Sequence, residues 1–374
     1  MIKTKGALLW EPGTNSGWQI DDIEIDPPKD GEVVVRLAAS GMCHSDQHLD
    51  TGDIPLDWAP ILGGHEGAGV IEEVGPNVDG LAVGDHVVLQ FLPTCGSCWF
   101  CVRGQTNLCD MTANVLSGFA PDGTHRVHSK GHGVGCYSYL GTFSEYVVAH
   151  QRSVIKIGKD IPLDVAALAG CGVPTGYGSA VYAAETEIGD TCVVIGCGGV
   201  GSNAIQGFRI AGAENIIAVD PVPFKQDSAK KFGATLTSPS IEEAYDLVYN
   251  ETHGRMADRV VVTMGVGDAQ KLEAMMSLVR KGGTLVFTNV VTMNQIDAKI
   301  ALYMFSMSGK RLQGTLYGSC NPRNDIPKLM NLYRRGELLL DELITTRYKL
   351  DDINTGWKDL EDGKIIRGLI DYSL

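Results

Sequence analysis

The chain is short of positive charge: of its 374 residues, 31 are Lys or Arg against 45 Asp or Glu, a formal net charge of −14 at pH 7. Binding nucleic acid or an anionic membrane surface needs clustered cations to neutralise phosphate, so this balance argues against both. Long apolar runs are missing too. The most apolar stretch, residues 161–184, is broken by Pro162, Asp164, Pro174 and several glycines, which makes it a buried helix pair or turn and excludes a membrane span. The opening, Met1 to Trp10, carries lysines but no apolar segment of signal-peptide length before Glu11 and Pro12, so a cytoplasmic location is expected. Internal repeats and low-complexity tracts are also lacking.

Glycine and cysteine, in contrast, are plentiful. The 46 glycines call for many tight turns, and ten cysteines without any sign of export point to metal binding before a disulfide framework. The length exceeds what one core serves, so two domains are expected.

To about Ile157 the chain reads as short β-type runs separated by turn residues (32–37, 68–74, 85–91, 144–149, 153–157), the pattern of a barrel-like antiparallel domain. From about Val173 the pattern changes. Apolar, β-branched runs at 191–195, 216–219, 259–263 and 284–288 alternate with stretches of helical period at 200–211 and 268–279, which predicts a doubly wound parallel α/β sheet. The last part predicts a helix over 326–335 and a strand over 365–370 that return to the first domain, making the second an insertion. Residues 120–135, rich in Gly and His, read as a long surface loop.

Directly after the run 191–195 stands Gly196-Cys197-Gly198-Gly199-Val200-Gly201, a G-x-G-x-x-G match followed by a helical pattern. The first glycine permits the tight turn, the second lets the backbone approach a pyrophosphate, and the third lets helix and strand pack closely. The helix amino terminus then offers unpaired N–H groups to phosphate. Alone the match is weak, but Asp220 follows nineteen residues after Gly201, where a carboxylate accepts bonds from both ribose hydroxyls and repels a 2′-phosphate. NAD is therefore expected over NADP, the alternative being a glycine turn with a chance Asp.

Cys95, Cys98 and Cys101 form C-x-x-C-x-x-C, and Cys109 follows eight residues on. Four thiolates make the closed shell of a structural zinc. An iron–sulfur cluster is the rival for such spacing, but no Pro follows the last cysteine. Cys43, His65 and Cys171 are dispersed among glycines and are not united by spacing; each alone reads equally as an ordinary buried residue. Cys136, Cys192, Cys197 and Cys320 have no clear metal partners and read as structural.

The run 63–71 (GGHEGAGVI), with residues 41–48 before it, the four-cysteine lobe after it and residues 170–180 further on, resembles the zinc-containing alcohol dehydrogenases of the medium-chain dehydrogenase/reductase superfamily over essentially the whole chain. The resemblance implies a GroES-like, mainly β catalytic domain from 1–173 and 321–374 with a zinc lobe at 93–112, and a Rossmann NAD-binding domain at 174–320. It implies two zinc ions per subunit. Cys43, His65 and Cys171 hold the catalytic one, with Glu66 beside it and Asp46 orienting His65. Ser45 and His48 match the family's proton relay. Thr175 would lie against the nicotinamide, Val290 would contact the cofactor, Asp220 and Lys225 would stand at the adenosine ribose, and His44 and Arg367 at the pyrophosphate. Trp58, Phe91, Leu116 and Val290 would line an apolar pocket that suits a primary aliphatic or aromatic alcohol, oxidised to the aldehyde.

The segment between Cys109 and Phe143 resembles the longer, dimeric classes and implies a homodimer. Residues 7–13, 220–225 and 321–323 are most similar to the actinobacterial nicotinoprotein alcohol dehydrogenases, which keep NAD bound through the cycle and use N,N-dimethyl-4-nitrosoaniline as acceptor in vitro. Three alternatives stay open: a glutathione-dependent formaldehyde dehydrogenase, although no Lys or Arg stands between Cys109 and Arg126 to hold the adduct's carboxylate; a non-catalytic NAD- or zinc-binding protein; and a zinc-free quinone or enoyl reductase, which normally lacks the ligand set.

Overall fold

Five strands close into a barrel in the order Ile2–Leu9, Gln19–Ile25, Val127–Ser129, His132–Cys136 and Ile61–Leu62. A second sheet runs Val154–Lys156, His86–Leu89, Gly67–Val74, Glu32–Gly41, Arg367–Asp371 and Ile344–Tyr348, with Tyr146–His150 also pairing Glu32–Gly41. In the computed structural model, which describes residues 1–265, 267–293 and 295–374, these strands belong to one unit, Met1–Cys171 with Asn321–Leu374. Its two chain ends are joined by hydrogen bonding: Leu369 stands opposite Gly41 and Ile370 opposite Ser40.

The segment expected as a surface loop, 120–135, instead contributes two barrel strands. Ser129 pairs with His132 across the two-residue turn Lys130-Gly131, whose φ values of 50° and 80° make the tight hairpin that suits strand twist. The strands are short and interrupted by Gly133 and Gly135, so their alternation is too weak to read.

The second unit, Gly172–Cys320, holds six parallel strands in the order Leu236–Ser238, Asn215–Val219, Thr191–Ile195, Ala257–Val262, Val279–Phe287 and Arg311–Gly314. Thr191–Ile195 and Ala257–Val262 are buried throughout, which is why they read as continuous apolar runs. Strand order reverses beside Thr191–Ile195, and ligands of such sheets bind at the carboxyl ends of the strands where the order reverses. The unit begins at Gly172, the first residue of the helix Gly172–Gly178. The helix expected over 268–279 is confined to Leu272–Ser277, since Val279 pairs with Ala257 and starts a strand. Among the described residues, no helix is long and apolar enough to cross a membrane.

Candidate active site

Backbone register brings the dispersed candidates together. Ser40 pairs with Gly67, so the segment leaving Glu32–Gly41 and the segment entering Gly67–Val74 meet at one end of the sheet, carrying Cys43 and the His65-Glu66 pair. Cys171 follows the turn Leu168–Gly170. A Cβ on Gly170 would stand 2.5 Å from Leu89 O and 3.1 Å from Glu66 Cα, so a side chain there would hold this turn away. The result is four buried donors, from Cys43, His65, Glu66 and Cys171, all within 4.8 Å of one another.

The imidazole is aimed by its neighbour. Nδ1 of His65 lies 3.2 Å from both carboxylate oxygens of Asp46, which is itself buried and accepts the Gly64 N–H at 2.9 Å. Donating Nδ1–H to Asp46 leaves Nε2 as the acceptor that a metal needs. Burial opposes the charged form of His65, yet the Asp46 carboxylate overcomes it and holds the imidazole well above its ordinary value. Burial in turn raises the Asp46 carboxyl, against the pull of His65. The two thiols share a hydrogen bond that drives Cys43 well below and Cys171 well above the ordinary thiol value.

Glu66 is engaged elsewhere. Its Oε2 accepts a short bond from Nη2 of Arg367, a buried ion pair that crosses from the carboxyl-terminal strand, and a Cβ on Gly41 would collide with that carboxylate. Burial raises the Glu66 carboxyl to about 7 despite Arg367. With Glu66 so paired, two sulfurs and one nitrogen remain. That donor set suits zinc, and three protein ligands leave the open position of a catalytic site. Arg367 is thus no solvated surface charge, and its bond to Glu66 is a contact that the sequence did not announce.

The helix His44–Thr51 carries the relay candidates. Ser45 Oγ is 3.6 Å from Cys43 Sγ, and the buried His48 ring lies 6.2 Å from that of His44. Phe91 packs edge-on against His65 at 5.4 Å between centroids. Tyr137, which sequence reasoning missed, does the same at 5.3 Å and is buried. It lies in a turn where Ser138 and Tyr139 both have positive φ, a conformation without a Gly to signal it. Trp58 packs at a tilt against Phe119 and His125, with ring centroids 5.0 and 4.8 Å apart, and Leu116 packs on the core cluster that holds Trp18 and Trp357.

Cys95, Cys98, Cys101 and Cys109 form a second four-donor cluster. The Cys95–Cys101 and Cys98–Cys109 sulfurs are each 3.9 Å apart, close to the edge of about 3.8 Å that a tetrahedron with Zn–S near 2.3 Å requires. Backbone N–H groups of Ser97 and Cys98 point at Cys95 and, with Ser97 first, lower its thiol to about 6, while burial pushes Cys101 up to about 12. A closed four-sulfur shell has no place for substrate, so this ion is structural.

In the second unit the glycine motif has the shape its chemistry needs. Gly196 turns with φ 93°; a Cβ on Gly198 would meet nothing within 4 Å, leaving open space for a phosphate; a Cβ on Gly201 would sit 1.9 Å from Gly196 O. Gly198 caps the helix Gly199–Ala211, whose first turn includes Gly199, Val200 and Gly201. The buried Asp220 carboxylate accepts N–H bonds from Cys197 at 2.8 Å and Val222 at 2.9 Å, which fixes it beside the loop with lone pairs left for ribose hydroxyls. Lys225 lies half-buried on the helix Pro223–Phe232, Thr175 on Gly172–Gly178, and Val290 accepts the Gly267 N–H at 2.9 Å.

A mainly β unit with a three-donor metal centre and a Rossmann unit with an NAD cradle define a zinc-binding, nicotinamide-dependent dehydrogenase. Residues 29–159 match the alcohol dehydrogenase GroES-like domain and residues 199–335 the zinc-binding dehydrogenase family. Alcohol dehydrogenase B of Mycobacterium tuberculosis is 47% identical over 373 residues, spanning 100% of this chain and 99% of its own length. The NDMA-dependent alcohol dehydrogenase of Amycolatopsis methanolica is 46% identical over 372 residues, covering 100% of both chains. Among solved structures, benzyl alcohol dehydrogenase from Acinetobacter calcoaceticus superposes with a TM-score of 0.91 at 28% identity, over 99% of each chain. The chain belongs to the zinc-containing alcohol dehydrogenases of the medium-chain superfamily, closely related to the actinobacterial nicotinoprotein enzymes. It carries out the NAD(H)-linked, zinc-dependent interconversion of an alcohol and an aldehyde.

Proposed function

We propose that the chain oxidises a primary, uncharged alcohol, aliphatic or benzylic, at the Cys43–His65–Cys171 centre, and that it keeps NAD through the cycle and passes the electrons to an external acceptor. Bound at their sites, zinc supplies a Lewis acid for the alcohol oxygen and NAD supplies the hydride acceptor. The chain's own residues do the rest. Asp46 orients His65; Phe91 and Tyr137 wall the centre with apolar surface and exclude water; Ser45 and His48 carry the hydroxyl proton away, an imidazole being suited to proton transfer near neutral pH. Asp220 and Lys225 are the residues for the adenosine ribose, Thr175 for the nicotinamide, Val290 a further cofactor contact, and His44 and Arg367 those for the pyrophosphate.

The observation that carries this reading is the convergence of three donors with a fourth, Glu66, taken by Arg367. Replacing Cys43 with Ser is expected to leave only the structural zinc and to remove alcohol oxidation; full turnover with two zincs per chain refutes the ligand set. Retention of NAD is supported by the likeness to an NDMA-dependent enzyme. Mass spectrometry of small molecules released by heating the purified protein tests it, one NAD per chain being expected. We also read the protein as a cytoplasmic homodimer: among the described residues its cysteines form no disulfide, as thiolate metal sites need, and the terminal strand Arg311–Gly314 is exposed along its length.

A further inference from the structure

His48 lies in the last turn of the helix His44–Thr51, and the group that holds it lies beyond the helix end. The helix stops at Gly52, whose left-handed φ of 84° costs glycine little and lets its N–H close on His48 O at 3.1 Å. A side chain at this position would also meet Gly13 Cα at 3.1 Å. The reversal folds Asp53 back over the helix, placing its Oδ2 3.2 Å from Nδ1 of His48 and 2.7 Å from Oγ1 of Thr51. An ionised carboxylate only accepts hydrogen bonds, so Nδ1 carries the hydrogen and, in the neutral ring, Nε2 is the basic nitrogen. The imidazole side chain is 3% exposed and the carboxylate 21%, so the ring depends on protein partners while the carboxylate keeps contact with solvent.

Resting on the relay reading of His48 above, we infer that Asp53 is a positioning residue for that relay, fixing the imidazole tautomer whose Nε2 takes the alcohol proton and steadying the imidazolium that results. In the step it serves, the O–H bond of the alcohol breaks with its electron pair left on oxygen, Ser45 Oγ takes that proton as it gives up its own, and the relayed proton forms an N–H bond at Nε2. Nδ1–H stays in place as donor to Asp53, and the proton on Nε2 is later given to water. Asparagine at 53 presents an amide that donates to Nδ1 as readily as it accepts, which allows the tautomer with its hydrogen on Nε2 and no base toward the relay.

A double-mutant cycle on the zinc-loaded, full-length enzyme tests this, comparing His48→Ala, Asp53→Asn and the pair for kcat, KM, zinc content and melting temperature with benzyl alcohol or ethanol as substrate. Asp53→Asn alone is expected to lower kcat by about 10- to 100-fold with KM and zinc content unchanged. Asp53→Glu recovers most of the rate, and Asp53→Asn costs nothing further once His48 is Ala. An equal loss in both backgrounds makes Asp53 merely a helix-end residue and overturns the inference, as does an unchanged kcat in the single variant. An unchanged kcat in His48→Ala removes the relay reading itself, and the inference with it.

Discussion

Two histidines each face a carboxylate that lies beside a glycine with positive φ: Asp46, which accepts the Gly64 N–H, is 3.2 Å from Nδ1 of His65, and Asp53, which follows Gly52, is 3.2 Å from Nδ1 of His48. Replacing Asp46 with Asn leaves the ligand atoms in place but weakens the hold on the ring, so zinc affinity at the catalytic site is expected to fall about 10- to 100-fold. Competition with a graded series of chelators reads this directly; unaltered retention of both zincs would deny Asp46 its part. A second residue-scale expectation concerns Gly201. Val there puts a Cβ into Gly196 O, so Gly201→Val should be purified without NAD and fail to take it up. At this scale the sequence was readable where ligands are contiguous: the glycine motif and the four-cysteine lobe follow from spacing. The catalytic trio did not, because strand register unites it, and only resemblance joined it. Tyr137, Asp53 and the Arg367–Glu66 pair left no sequence signal beyond, for Asp53, a Gly directly after a helix end.

The hairpin Val127–Ser129/His132–Cys136 shows what an element can hide. Its strands carry too few β-branched residues for alternation to show, and what anchors it is a long-range charge network. The buried Arg126 binds both oxygens of Glu32, at 2.7 and 2.8 Å, and reaches Asp122 at 2.8 Å, tying the approach to the hairpin to the start of Glu32–Gly41. Glu32→Gln removes one charge from this buried set and is expected to cost about 3 kcal/mol, the low end for breaking a buried pair because Asp122 remains; urea unfolding near neutral pH measures it. Acid acts on the same network. Burial alone would raise the Asp122 carboxyl, but bonds from Arg126 and Thr124 outweigh it and hold the group below its ordinary 3.8. A carboxyl depressed in the folded state adds stability above its unfolded value and loses it as pH falls through the folded value. The stability difference between the natural protein and Asp122→Asn should therefore be full above about pH 5 and shrink as pH drops below about 4, where the unfolded carboxyl begins to take up its proton. A gap that is constant with pH would exclude this contribution.

At the scale of the whole molecule, the described residues of the second unit include an exposed edge strand beside an exposed apolar helix. Arg311–Gly314 is the terminal strand of the parallel sheet and is exposed at every residue. Beside it in sequence, the helix Leu302–Met307 turns Phe305 toward the core and leaves Leu302, Tyr303, Met304 and Met307 between 58% and 75% exposed. An unpaired edge bordered by large apolar side chains invites another strand, and natural proteins blunt such edges unless a partner covers them. In the homodimer proposed above, a twofold axis would set the same strand and helix of a second copy against this one, satisfying the edge and burying both patches at once. Sequence pattern does not single out such an edge, because an edge strand and an inner strand of a parallel sheet differ only in what lies beside them. The double substitution Met304→Glu and Met307→Glu sets like charges against their copies without touching the glycine motif. Sedimentation velocity at micromolar concentration is expected to change from dimer to monomer, with bound NAD and both zincs kept. A natural protein that sediments as a monomer, or a doubly substituted one that stays dimeric, would mean that this face is covered by something other than a second copy.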